Sequence, residues 1–180
     1  MDEVMEGPNG RTEVVESDEH RILFRHTTHH VGRMAGPHWH PVLAERFRVV
    51  AGVVRFRVDG TWREVGPGQT VHVAPRAVHE FRHDDPGELV MEHEVRPPGR
   101  HRAMFEVLHA LHATGRLTRT GLPRSPLSLG LLWGLQDGYL AGPPPWLQRA
   151  LLGGLDRLAR RLGHHRRLAV AHGRPSDAWD

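Results

Sequence analysis

The sequence predicts a mainly-β chain, an antiparallel barrel or jelly roll followed by a C-terminal helical extension of two to three helices. Three observations predict it. From about Glu13 to Pro98, short apolar runs are separated by turn signals at Asp59-Gly60, Gly66-Pro67-Gly68 and Asp85-Pro86-Gly87. After Pro97-Pro98-Gly99 the apolar period lengthens to that of helices. Between these signals lies a His-x-His pair, His38 and His40, whose side chains point the same way if the backbone is extended.

Taken in order, residues 1–12 are polar, include Pro8-Asn9-Gly10, and read as a flexible acidic leader. Residues 13–98 form the barrel, with strands expected at Ile22–Phe24, Val42–Val50, Val53–Val58, Val71–Val73 and Leu89–Val95. Within Val53–Val58, Val54, Phe56 and Val58 face inward while Arg55 and Arg57 face water, the alternation of a half-buried strand. Residues 99–180 form the helical extension, packed on the barrel or on a dimer partner. Its first helix spans His101 to Ala113, with Met104, Leu108 and Leu111 on one stripe. Ser125-Pro126 opens a second helix reaching about Tyr139, with proline at the first helical position. A third, Trp146 to Leu162, sets Leu147, Leu151, Leu155, Leu158 and Leu162 against Arg149, Arg157, Arg160 and Arg161, and Gly153-Gly154 weaken its middle. His164 to Arg167 read as a solvated tail.

The run Gly32 to Gly52 reads G-x5-H-x-H-x4-E-x6-G, and a further histidine follows at His79. His38, His40, Glu45 and His79 make a donor set for one divalent first-row metal ion per chain, whether Fe, Mn, Ni, Cu, Zn or Co. Four protein ligands on a six-coordinate ion leave two adjacent positions for water, oxygen or a bidentate substrate, an open arrangement that suits catalysis better than structure. His93 is the catalytic candidate. It lies on the alternating stripe Leu89, Met91, His93, Val95 and suits a general base or a hydrogen-bond donor to substrate. Trp39, between two ligands, faces away from the site, as does Glu80 beside His79.

These residues resemble the cupin superfamily, whose first motif is matched in full by Gly32, His38, His40, Glu45 and Gly52. The second motif, G-x5-P-x-G-x2-H-x3-N, falls on Gly68 to His83 and keeps the ligand at His79. There Ala74, Arg76 and His83 replace the proline, glycine and asparagine. The resemblance is to small single-domain bacterial cupins of the quercetin dioxygenase-like kind with a helical C-terminal extension. It implies a jelly-roll barrel, a homodimer and a metal bound by His38, His40, Glu45 and His79.

Composition narrows the chemistry. Between His20 and Pro98 there is no Tyr, Ser, Lys, Asn or Cys, so the barrel offers no side-chain nucleophile of the Ser, Cys or Lys kind and no tyrosine acid. The chain's one tyrosine, Tyr139, falls in the helical region. A catalytic barrel must then rely on its metal. That favours a dioxygenase-like oxidoreductase acting on a small, largely apolar metabolite that chelates through oxygen, with a Lewis-acid cyclase, lyase or isomerase as the close variant. A non-catalytic cupin that binds a regulatory ligand is the alternative. All 24 basic residues are arginine, and residues beyond 20 carry 23 of them against 14 acids. They are spread and rarely interleaved with aromatics, which argues against a nucleic-acid partner. The absence of cysteine and of a secretory leader suggests a cytoplasmic protein. No apolar stretch is long enough to span a bilayer, although the basic third helix has the make-up for peripheral membrane contact.

Overall fold

Period-2 alternation places one face of each strand against a shared interior, and the strands form where it is sustained. The computed structural model describes residues 3–7, 10–118 and 121–179. The chain divides into two units, Met1–Gly99 with Gly138–Ala141, and Arg100–Asp137 with Gly142–Asp180.

The first unit contains β1 (Glu3–Gly7), β2 (Gly10–Ser17), β3 (Ile22–Thr28), β4 (Gly32–Trp39), β5 (Ala44–Ala51), β6 (Val54–Val58), β7 (Thr61–Val65), β8 (Thr70–Val73), β9 (His79–His83), β10 (Leu89–Arg96) and a short β11 (Tyr139–Leu140). One sheet has the order β1-β2-β3-β10-β5-β8 and the other β11-β4-β9-β6-β7. The pairings are antiparallel, so the unit is a cupin-like jelly roll. Phe47 and Val49 of β5, Val71 of β8 and Met91 of β10 meet Val54 and Phe56 of β6 in a single core. Truncating a side chain as deeply buried as Phe56 to alanine would cost about 3–5 kcal/mol.

The outer face of the first sheet is charged. Glu94 accepts from Arg21 (2.9 Å), Arg46 (3.1 Å) and Arg96 (2.8 Å), and Glu92 accepts from Arg25 (3.1 Å) and Arg48 (3.3 Å). On the second sheet the outward Arg55 and Arg57 flank the Trp62 ring at 5.3 and 5.7 Å.

The second unit holds α1 (His101–Ala113), α2 (Pro126–Leu135), α3 (Pro145–Arg161) and α4 (His164–Ala171). Its core gathers Val107, Leu111, Leu131, Leu135, Ala159, Leu168 and Trp179. The α2–α3 pair packs closely because glycines remove bulk. A Cβ at Gly130 would lie 2.5 Å from the Leu155 Cβ, and one at Gly134 would lie 2.6 Å from the Asp156 carboxyl carbon. Among the described residues, no helix is long and apolar enough to cross a membrane.

Four expectations are corrected. The stretch read as a loose leader carries β1 and the start of β2, because Val4 to Gly7 pair in register with Gly10 to Glu13 and β2 pairs onward with β3. Met1, Asp2, Pro8 and Asn9 lie outside the described residues. The second helix stops at Leu135 rather than near Tyr139, since Asp137 takes a left-handed φ of 53° that ends helical propagation. The tail at His164 is not solvated coil but α4, entered through Gly163 at φ 65°; His165, Leu168 and Ala169 are buried. In α3 the buried positions are Gln148, Gly153 and Ala159, while Leu151, Leu158 and Leu162 of the leucine stripe are exposed. α2 seats Gly130 and Gly134 against Leu155 and Asp156, so only part of the stripe is covered.

Candidate metal centre

His38 lies near the end of β4 and His40 just beyond it, while β5 brings Glu45 and the first residue of β9 is His79. Strand pairing sets His38 opposite His79. Across the barrel the four side chains converge, each offering one ligand atom, with all four atoms within 4.8 Å of one another. His40, Glu45 and His79 are buried and His38 is half-buried. His79 Nε2 lies 3.0 Å and His40 Nε2 3.5 Å from Glu45 Oε2. The His38 and His79 ring centroids lie 4.1 Å apart, with the planes tilted by 51°.

The donor set fits an ion. His38 Nδ1–H donates to the Gly36 carbonyl at 2.8 Å, and His79 Nδ1–H to the Ala77 carbonyl at 3.1 Å. Each bond fixes a tautomer whose Nε2 lone pair is free to ligate, the usual support of a metal-binding histidine. Among the described residues, Glu45 Oε2 and His79 Nε2 are fully buried yet make no hydrogen bond of good geometry. Leaving such atoms unmatched costs about 1–3 kcal/mol each, which a shared ion recovers.

Electrostatics follow from this crowding. Burial, then the neighbouring His79, pushes the His38 pKa down to about 4, so its imidazole is neutral at pH 7. Burial alone would raise Glu45, but His79 and His93 outweigh it and hold the carboxyl well below its usual range. Burial would likewise lower His79, yet the adjacent Glu45 carboxylate raises it.

His93 is brought to the same place. Its Nε2–H donates to Glu45 Oε1 at 2.9 Å, and its ring stacks on Phe47 with centroids 4.2 Å apart at 13°. Trp39 turns outward and packs on Tyr139 of β11 at 4.9 Å, so the tyrosine reaches the barrel wall but on the side away from the ligands. Glu80 pairs with Arg57 at 2.7 Å and takes no part in the cluster. Arg76, at the motif's glycine position, adopts the left-handed φ of 71° that glycine would supply, and its N–H donates to the His40 carbonyl at 2.7 Å. Three contributors escaped sequence reasoning. Gly138 abuts the His40 ring, and His26 with Thr12 continues the polar line from His93. For His26 the inward alternation shared with Phe24 was a usable signal, but for Gly138 there was none, since it lies almost a hundred residues along the chain from His40.

The cupin domain family model matches residues 25–96. No curated protein matches the chain. Among solved structures, KdgF from Halomonas sp. is 18% identical with a TM-score of 0.47, over 53% of this chain and 86% of that one. An RmlC-like cupin from Shewanella frigidimarina is 17% identical with a TM-score of 0.47, over 54% of this chain and 85% of its own. The nucleoside dehydratase Pac13, from Streptomyces, is 15% identical with a TM-score of 0.44, over 54% and 77%. With its first motif complete and its motif residues gathered inside an antiparallel jelly roll, the segment 25–96 is similar to the cupin domain family, and a helical region follows it in the chain.

Proposed function

We propose that His38, His40, Glu45 and His79 hold one divalent metal ion, and that the chain is a metal-dependent enzyme of the dioxygenase-like oxidoreductase kind. The observation that carries this reading is the convergence of four ligand atoms within 4.8 Å, three of them on buried residues. When bound, the ion supplies Lewis acidity toward a chelating oxygen pair and, if redox-active, electron transfer to dioxygen. The substrate class is a small, largely apolar metabolite bearing such an oxygen pair. Phe81 and Met34, partly buried beside the core, offer apolar surface for it, and Phe81 stacks on Phe56 and meets Phe47 at a tilt.

This chain's own residues have defined tasks in that reading. His38 and His79 present Nε2 because their Nδ1–H groups are occupied by backbone carbonyls. Glu45 contributes Oε2 while His93 holds Oε1. The aromatic group Phe47, Phe56 and Phe81 keeps water from that side. Dioxygenation places both atoms of O2 in the substrate, which itself supplies the electrons, so no separate reductant is required. The lack of an inward tyrosine, serine, lysine or cysteine supports a reaction driven by the metal.

Metal content by mass spectrometry, on protein purified without chelators, tests the site. About one equivalent is expected in the native protein and far less in His79→Ala, with the exposed His72→Ala unchanged. Equal content in all three overturns the assignment. Oxygen uptake with phenolic and 1,3-dicarbonyl compounds then tests the reaction. Turnover of these compounds without oxygen consumption would replace the dioxygenase reading with Lewis-acid chemistry.

A second copy of this chain is the proposed protein partner. The exposed Leu151 and Leu158 of α3, with Leu162 just after it, support it, since exposed apolar surface marks contact sites.

A further inference from the structure

Behind Glu45 runs a line of polar side chains across four neighbouring strands of one sheet, in the order β5, β10, β3, β2. Glu45 Oε1 lies 2.9 Å from His93 Nε2, His93 Nδ1 lies 3.4 Å from His26 Nε2, and His26 Nδ1 lies 2.9 Å from Thr12 Oγ1. The line is buried except at His26, which is half-buried. Glu45, His93 and Thr12 are at most 5% exposed, and the rings pack in sequence. Phe47 stacks on His93 at 4.2 Å, His93 meets His26 at 5.6 Å, and His26 stacks on Phe24 at 5.8 Å.

With both histidines neutral and an ionised carboxylate at one end, the line has one direction of donation. An ionised carboxylate accepts only, so His93 must carry its proton on Nε2. His93 Nδ1 is then an acceptor, and His26 must donate to it from Nε2. His26 Nδ1 becomes an acceptor in turn and takes the Thr12 hydroxyl proton. The carboxylate at one end thus sets both tautomers, and the Thr12 hydroxyl, able to donate, completes the line that holds Glu45 with Oε2 facing His40 and His79.

We propose that Thr12, His26 and His93 are positioning residues that hold Glu45 in its metal-ligating orientation. The inference rests on the metal-site reading above. It has two notable features. Thr12 lies outside the segment that matches the family model, residues 25–96, so the strand preceding the domain completes its site. It also gives His93 a role at the ligand rather than at the substrate. Buried partners behind a ligand typically influence metal affinity by about 10–100-fold.

The test is cobalt(II) titration by calorimetry, together with long-range 1H–15N spectra of the histidine rings in metal-free protein. In the native protein the His93 proton is expected on Nε2, facing Glu45. Thr12→Val and His26→Phe are expected to weaken cobalt(II) about 10-fold, and His93→Phe up to about 100-fold. Thr12→Ser and His93→Gln, whose side chains still donate in the same direction, are expected to recover most of the affinity. Thermal melts verify that each variant is folded, and the two conservative variants keep the test decisive if His93→Phe does not fold. No cobalt(II) binding by the native protein overturns both the metal-site reading and this one. Native binding with affinity unchanged in folded Thr12→Val and His26→Phe, or a His93 proton on Nδ1, overturns the positioning line alone.

Discussion

Gly138 leaves room for His40. A Cβ at Gly138 would lie 2.7 Å from His40 Nδ1, 2.9 Å from its Cε1 and 2.9 Å from the Trp39 carbonyl oxygen. The next residues, Tyr139 and Leu140, pair with Trp39 and His38 to extend the sheet that carries two ligands. Gly138→Ala forces the ligand ring or the short strand to move. The expected outcome is a roughly 10-fold loss of metal affinity with the strands otherwise retained, read by calorimetry and circular dichroism. Native affinity in Gly138→Ala would show that the site absorbs the displacement.

Protons compete with the ion, and the sign follows from the local shifts. His38, pushed down to about 4, is already neutral through the physiological range. His79 is raised above its ordinary 6.5 by Glu45, so it still holds a proton where a typical histidine has lost one. Metal binding must displace that proton. Affinity should therefore fall as pH drops through the raised His79 pKa, beginning on the alkaline side of 6.5. Titrations in buffers of different ionisation enthalpy would detect the released proton. A pH-independent affinity between pH 6 and 8 would contradict the assignment.

The outer charge network predicts acid sensitivity. Arg96 foremost, with Arg21 and Arg46, lowers Glu94 from 4.5 to about 2. A carboxyl depressed in the folded state contributes stability that is complete above its unfolded pKa and lost as pH falls through its folded one. Glu94→Gln should destabilise the protein on the order of 1 kcal/mol at pH 7, because water screens its surface arginine partners. The difference should shrink below pH 4.5 and be lost only below about pH 2. Urea melts at several pH values check this.

Leu158 tests the proposed partner. It is 44% exposed on α3 beside Leu151 and Leu162, at 60% and 50%. Leu158→Glu should convert a dimer to a monomer by light scattering while leaving the melting temperature of the dilute protein within a few degrees. A native protein that is monomeric at high concentration would remove the proposal.

Much of the candidate site was legible because its signal is local. His38 and His40 share a side by strand alternation, Glu45 follows within one turn of chain, and His79 opens the next inward strand of its sheet. Three of the four helices were legible, but α4 was not, nor was the face that α3 buries. The leucine stripe of α3 suggests one buried face, yet Gly130 and Gly134 seat α2 against Leu155 and Asp156, and Leu151 and Leu158 stay exposed.

The sequence by itself determined the class of fold, the turn positions and the four candidate ligands, since each depends on the identity and spacing of residues close in the chain. The tertiary structure decided which groups stand behind them. Thr12 and His26 join His93 because β2, β3 and β10 are neighbours in the sheet, and Gly138 meets His40 because β11 pairs with β4. Strand order is set by burial of the whole interior rather than by any local pattern, so contacts that cross it are invisible until the chain is folded.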